Sequence, residues 1–196
     1  MKVGLFFGSF NPIHVGHLII ANHLAEHSNL DQIWMVVTPH NPLKEKKSLL
    51  DDYHRLHLVS LATDEYLKIK SSDFEFKLPQ PNFTVNTLAH FQEKFPKNEF
   101  SLIIGEDNLK NFKKWKNYEV ILENHFIYVY PRIDKSIDKN QKHGFENHSK
   151  IIKIDAPIVE ISSTFIRENI KSGKNVKPLL STEVWNYIEK CGFYLK

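Results

Sequence analysis

"KVGLFFGSFNPIHVGHLIIANHLAEH", residues 2–27, decides the fold. "KVGLFFG" is a short apolar run that reads as a buried strand, ended by Gly8. From Val15 the apolar residues recur at helical spacing, which predicts a helix. Between them, Ser9 to His17 carries the chain from one to the other, with Pro12 to stiffen the turn and Gly16 to leave room at the helix start. A strand that turns directly into a helix is the opening of a βα unit.

Working outward, the pattern repeats. "QIWMVVT" reads as a second strand, and "LLDDYHRLHLVSLAT" as a helix with Asp51 or Asp52 favourable near its start. "YLKIKSSDFEFKL" has room for one or two short strands broken at Ser71 to Asp73. "FTVNTLAHFQEKF" predicts a helix with Thr84 as N-cap, stopped by Pro96. "EFSLIIG" is a buried strand, "NYEVILEN" a helix, and "HFIYVYP" and "KIIKI" two more strands. "STFIRENIKSG", with Gly173 at its end, and "STEVWNYIEKCG" predict the closing helices. Strands alternating with helices imply an α/β fold, a doubly wound, Rossmann-like parallel sheet with helices on both faces. Ligands of such folds bind beyond the carboxyl ends of the strands, at the switch point of strand order. We expect a single domain, residues 1–196, with a flexible surface loop at residues 132–150, where apolar residues are few. Residues 174–196 form a C-terminal helical end in this reading.

Composition narrows the function classes. With 41% hydrophobic and 25% charged residues, the 196-residue chain is ordinary for a globular protein. At this length it buries roughly 70% of its unfolded surface and needs no disulfide to fold. Its one cysteine, Cys191, excludes an intramolecular bridge and fits a reducing, cytoplasmic compartment. No run approaches the ~20 apolar residues of a membrane span, so we expect no membrane partner. The net charge of +3, from scattered lysines, lacks the basic stripe of a nucleic-acid binder. A mild positive bias suits an anionic small molecule.

The first turn carries the chemistry. It lacks the G-x-G-x-x-G of dinucleotide folds and the Gly-Lys-Ser/Thr of a P-loop. It nevertheless occupies the place where phosphates bind, at an electropositive helix N-terminus with free backbone N–H groups. Gly8 permits close backbone approach, and His14 and His17, three residues apart, share a face and aim at one phosphate. Two plainer readings stand beside this one. The pair can be solvated polar residues at a helix start, or zinc ligands together with His23 and His27, although no cysteine lies near. We take His23 and His27 as surface residues.

"GSFNPIHVGH", residues 8–17, resembles the G-x-F-x-P-x-H-x-G-H signature of the nucleotidyltransferase superfamily, and "ISSTFIR", residues 161–167, its I-S-S-T-x-x-R signature. The second is physically sensible: Ser162, Ser163 and Thr164 can cap a helix and leave N–H groups for an anion, with the fork of Arg167 one turn in. "EFKLPQPNFTVNTL", "FSLIIGEDNLKNFKKW", "TPHNPLK" and "STEVWNYIEKCGFYL" are similar to segments of bacterial nicotinate-nucleotide adenylyltransferases. The resemblance covers nearly the whole chain outside residues 132–150. The chain departs from the family pattern at Asn11, Leu78, Gln80, "PNF" with Phe83, and Asn86. Most of these lie in the segment that reads the mononucleotide.

The resemblance implies condensation of ATP with nicotinate mononucleotide to deamido-NAD and pyrophosphate, with Mg²⁺ accompanying ATP. It implies that Gly8, Ser9, Phe10, His14, His17, Ser162, Ser163 and Arg167 surround the ATP phosphates, and that His14, His17 and Arg167 are catalytic. Gly105 and Asp107 would lie at the adenosine ribose, an aspartate after a buried strand being a ready acceptor of ribose hydroxyls. Thr84 and Trp115 would lie at the nicotinate end. Trp115 offers a flat face to a pyridinium ring, or else is a core tryptophan. Lys44, in the lysine-rich "LKEKK", is assigned to the mononucleotide phosphate. No protein metal site is expected, and a homo-oligomer is possible. The rival readings are an enzyme that takes nicotinamide mononucleotide or both mononucleotides, a relative acting on pantetheine phosphate, and a non-catalytic nucleotide sensor.

Overall fold

β1 (Lys2–Gly8) runs through the middle of a six-stranded, wholly parallel sheet. The structure, a computed structural model, describes residues 1–39, 49–132, 144–145 and 147–195. The other strands are β2 (Gln32–Val37), β3 (Ile69–Ser72), β4 (Glu99–Gly105), β5 (Ile127–Tyr130) and β6 (Ile151–Lys153), in the spatial order β3-β2-β1-β4-β5-β6. From β1 the chain steps outward to β2 and β3, then returns to add β4, β5 and β6 on the other side. The order therefore reverses between β1 and β4, and a crevice opens beyond their carboxyl ends. The doubly wound fold expected from the alternation is the one found.

The helices are α1 (Val15–His27), α2 (Asp52–Thr63), α3 (Thr84–Lys94), α4 (Glu106–Lys110), α5 (Tyr118–Asn124), α6 (Ser163–Lys171) and α7 (Thr182–Cys191). The period-2 alternation of buried strands supplies two cores. Phe6, Ile33, Met35, Val37, Ile103 and Tyr128 face α1, α2, α6 and α7, whose Leu24, Leu58, Ile166 and Ile188 join the same cluster. Val3, Leu5, Val36, Leu102, Ile104 and Val129 face the other way and pack with Leu88 and Phe91 of α3 and Ile121 of α5.

One local expectation is corrected. Thr84 is the first helical residue of α3, and the N-cap position belongs to Phe83. The residues after β3 form a 3-10 turn, Phe74–Lys77, where a second strand had room, because Glu75 turns inward and is buried. Within the expected surface loop 132–150, Phe145 is buried against Phe112 and Tyr118. A lone aromatic in a polar stretch has enough apolar area to anchor the return to β6. Residues 133–143 and 146 of that stretch lie outside the described residues.

Candidate active site

Backbone geometry fixes the first turn. Phe10 adopts φ +44°, in the left-handed region, and its ring is buried between Phe6 and His17. A Cβ on Gly8 would stand 2.8 Å from that ring, so glycine is needed here for Phe10 as well as for any ligand. His14 is the N-cap of α1 and His17 its third residue. The two imidazoles stack, centroids 3.7 Å apart, and a Cβ on Gly16 would press on the His14 ring at 3.0 Å. The His14 backbone N–H donates to Nδ1 of His17 at 3.3 Å, which leaves the His17 proton on Nε2. His14 is only 5% exposed, and its Nδ1 has no hydrogen-bond partner among the described residues. Burial first, and the charge of Arg132 second, hold its pKa down to about 4, so the ring is neutral at pH 7.

The second motif is fastened to the first. Ser162 caps α6 by accepting the Phe165 N–H (3.1 Å), and Ser163 Oγ donates to the Pro12 carbonyl (2.8 Å). Arg167 donates through Nη1 to the Asn11 carbonyl (2.8 Å) and through Nη2 to Thr164 Oγ1 (3.2 Å). Two of its five N–H donors are thereby engaged in holding the turn, and the guanidinium still borders the cavity.

Gly105 ends β4 and serves as N-cap of α4, and a Cβ there would collide with the Asp107 carboxylate. Asp107 Oδ2 pairs with Arg132 at 3.2 Å. Beside them, burial pushes the Tyr130 hydroxyl up to about 12. At the far end Trp115 is half-buried against Phe112, and its Nε1 has no partner among the described residues. Lys116 Nζ lies 4.6 Å from the centre of the Phe83 ring.

These groups line one cavity of about 540 Å³ at the switch point. It brings together Gly8, Ser9, Phe10, His14, His17, Thr84, Gly105, Asp107, Trp115, Ser162, Ser163 and Arg167, the expected site residues in the described chain. Lys44 lies outside the described residues. Trp115 packs on the core and also borders the cavity. His23 and His27 are not among the cavity residues.

Four residues escape the sequence reading. Arg55 of α2 is fully buried and donates to the carbonyls of Leu50 (2.9 Å), Ser9 (2.5 Å) and Thr38 (3.0 Å), while pairing with Asp52. Glu75 accepts from Thr87 Oγ1 at 2.7 Å, and burial pushes its carboxyl up against the pull of the Thr87 and Thr38 hydroxyls. Tyr194, near the C-terminus, donates to Asn11 Oδ1 at 2.9 Å. Arg132 is the fourth. Several of these bonds join residues distant in sequence, Arg55 with Ser9 and Tyr194 with Asn11 among them, and only the order of the strands, from which the switch point follows, hints at them.

Comparison with known proteins gives the chain its relatives. Residues 5–169 match the family described as cytidylyltransferase-like. The chain is 69% identical to the probable nicotinate-nucleotide adenylyltransferase of Flavobacterium psychrophilum over 196 residues, the whole of both chains. It is 46% identical to that of Bacteroides fragilis over 187 residues, 95% of this chain and 90% of the relative. Among solved structures, the Plasmodium falciparum nicotinic acid mononucleotide adenylyltransferase complexed with NaAD superposes with a TM-score of 0.82 at 20% identity, over 98% of this chain and 97% of that one. A Vibrio parahaemolyticus structure described as a putative nicotinate-nucleotide adenylyltransferase gives 0.73 at 22% identity, over 98% and 94%. At those identities the two structures speak for the fold.

Proposed function

The chain belongs to the nicotinate-nucleotide adenylyltransferase family, within the cytidylyltransferase-like proteins, and from that premise we propose how its cavity carries out the reaction. The enzyme condenses ATP with nicotinate mononucleotide to deamido-NAD and pyrophosphate, a step of NAD biosynthesis. The observation that carries the site assignment is the joining of both motifs, at separations of 151 and 156 residues in sequence, by the Ser163–Pro12 and Arg167–Asn11 hydrogen bonds at a single cavity.

In this reading the mononucleotide phosphate attacks the α-phosphorus of ATP in line. One P–O bond forms as the bond to the bridging oxygen of pyrophosphate breaks. The attacking oxygen is already anionic, so the protein needs neither a general base nor a nucleophile. Its work is positioning and stabilisation of charge. His17 donates from Nε2, His14 donates as a neutral imidazole, and Arg167 offers its remaining N–H groups to the phosphate oxygens. Gly8, Ser9 and Phe10 hold the turn around them, and the N-terminal N–H groups of α6 near Ser162 and Ser163 add further donors.

Asp107 receives the adenosine ribose, with Gly105 leaving the space. Trp115 stacks on the pyridinium ring, and the start of α3 at Thr84 offers N–H groups to the nicotinate carboxylate. Lys116 over Phe83 adds positive potential at that end. Magnesium would accompany ATP, held by the phosphate oxygens, the hard donors it prefers, and would supply charge neutralisation on the polyphosphate. No helix among the described residues is long and apolar enough to cross a membrane, and we read the enzyme as cytoplasmic.

The test is pyrophosphate release from MgATP with nicotinate mononucleotide, nicotinamide mononucleotide and pantetheine phosphate in parallel. We expect at least a tenfold higher kcat/KM for the nicotinate form, the worth of one satisfied charged contact. Equal use of nicotinamide mononucleotide would overturn the carboxylate contacts and keep the chemistry. Release with none of the three would overturn the function.

A further inference from the structure

Arg132 lies two residues beyond the end of β5 and lines the cavity. Its guanidinium pairs with the carboxylate assigned to the ribose, Asp107, at 3.2 Å. The other Asp107 oxygen accepts from the side chain of Asn108 at 3.4 Å. In the free protein, therefore, both oxygens of Asp107 are engaged by protein donors. The pair is also open to water, the two side chains being 43% and 32% exposed. Exposed ion pairs are weak and exchange readily, and a guanidinium fork fits phosphate oxygens as well as it fits a carboxylate. The charge of Arg132 is felt at His14, within the phosphate turn.

Resting on the reading of the cavity given above, we propose that Arg132 is a further ATP-binding residue that exchanges partners: Asp107 in the free enzyme, the polyphosphate when ATP is bound. Departure of the guanidinium releases Asp107 Oδ2 to accept the ribose hydroxyls. Phosphate and ribose recognition are thereby coupled, since each half of ATP takes one member of the pair. A polyphosphate without a ribose draws Arg132 away against the pull of Asp107. A nucleoside without phosphates meets an occupied carboxylate.

The test is calorimetric titration of the full-length protein with inorganic tripolyphosphate and Mg²⁺, for the wild type, R132Q, D107N and the double variant. R132Q should weaken binding about tenfold, the loss of one charge-assisted contact. D107N should tighten it several-fold, and that gain should vanish in the R132Q background. A gain from D107N that persists without Arg132 would overturn the exchange, because it would reflect only the removal of a negative charge. Unchanged affinity in R132Q would overturn Arg132 as a phosphate ligand while the proposed function stands. Failure of tripolyphosphate to bind any of the four would overturn both. Thermal melts of each variant exclude misfolding as the cause of a loss.

Discussion

His14 and His17 differ in what they can do, although they stack. The Nδ1 of His17 is occupied by the backbone, so its Nε2–H is aimed and its tautomer fixed. His17→Ala should lower kcat about a hundredfold or more, the cost of one preorganised donor to developing charge, and raise the KM for ATP only a few-fold. Steady-state kinetics check this, and an effect confined to KM would remove His17 from the transition state. His14 makes a second expectation, about pH. Its folded pKa of about 4 lies below the ordinary 6.5, so on acidification the unfolded chain takes up the proton first. Its contribution to stability is complete above pH 6.5 and is lost as pH falls from 6.5 towards 4, on the order of 3 kcal/mol in all. Burial lowers His125 as well, so it adds to the same slope. Urea midpoints across that window should fall less steeply for H14Q than for the wild type; parallel slopes would contradict the buried neutral His14.

At the scale of elements, α2 contributes one side chain on which the first turn depends. Arg55 gathers the carbonyls at the ends of β1 and β2 and at Leu50, and its charge is paired with Asp52 one turn earlier. Arg55→Met leaves Asp52 without its partner and three carbonyls without donors. We expect a loss of about 3–5 kcal/mol in the urea unfolding free energy, with Arg55→Lys recovering little because a single ammonium cannot span the fork. A loss under about 1 kcal/mol would show that water replaces the guanidinium at no cost. This dependence is invisible in "LLDDYHRLHLVSLAT", where Arg55 falls among polar positions of an amphipathic pattern and nothing local distinguishes it from a solvated arginine. By contrast, β1, α1 and the turn between them are legible because glycine, proline and the paired histidines mark the backbone itself. Ser162 is legible as a cap for the same reason. Thr84 misleads because a threonine before an apolar run is the usual sign of an N-cap, while here the chain enters the helix one residue sooner. Trp115 could not be assigned from sequence, since it packs on the core and borders the cavity at once.

Taken as a whole, the molecule brings three distant parts of the chain to one crevice: the end of β1, the rim after β4 and β5, and the start of α6. The last residues join them, as Tyr194 reaches Asn11 from the C-terminal side, next to the carbonyl that holds Arg167. The order of the strands makes the crevice, and the alternation of apolar runs makes that order readable. The contacts across it were not readable, because Arg132 stands at the edge of a polar stretch and Tyr194 at the end of the chain. The cavity presents donors to phosphate, and the reading that follows is direct transfer between two bound substrates. Exchange of labelled pyrophosphate into ATP tests it, measured with MgATP in the absence and presence of nicotinate mononucleotide. Direct transfer predicts no exchange without the mononucleotide and ready exchange with it, through reversal of the condensation. Exchange with ATP alone would mean an adenylylated protein side chain and would contradict direct transfer.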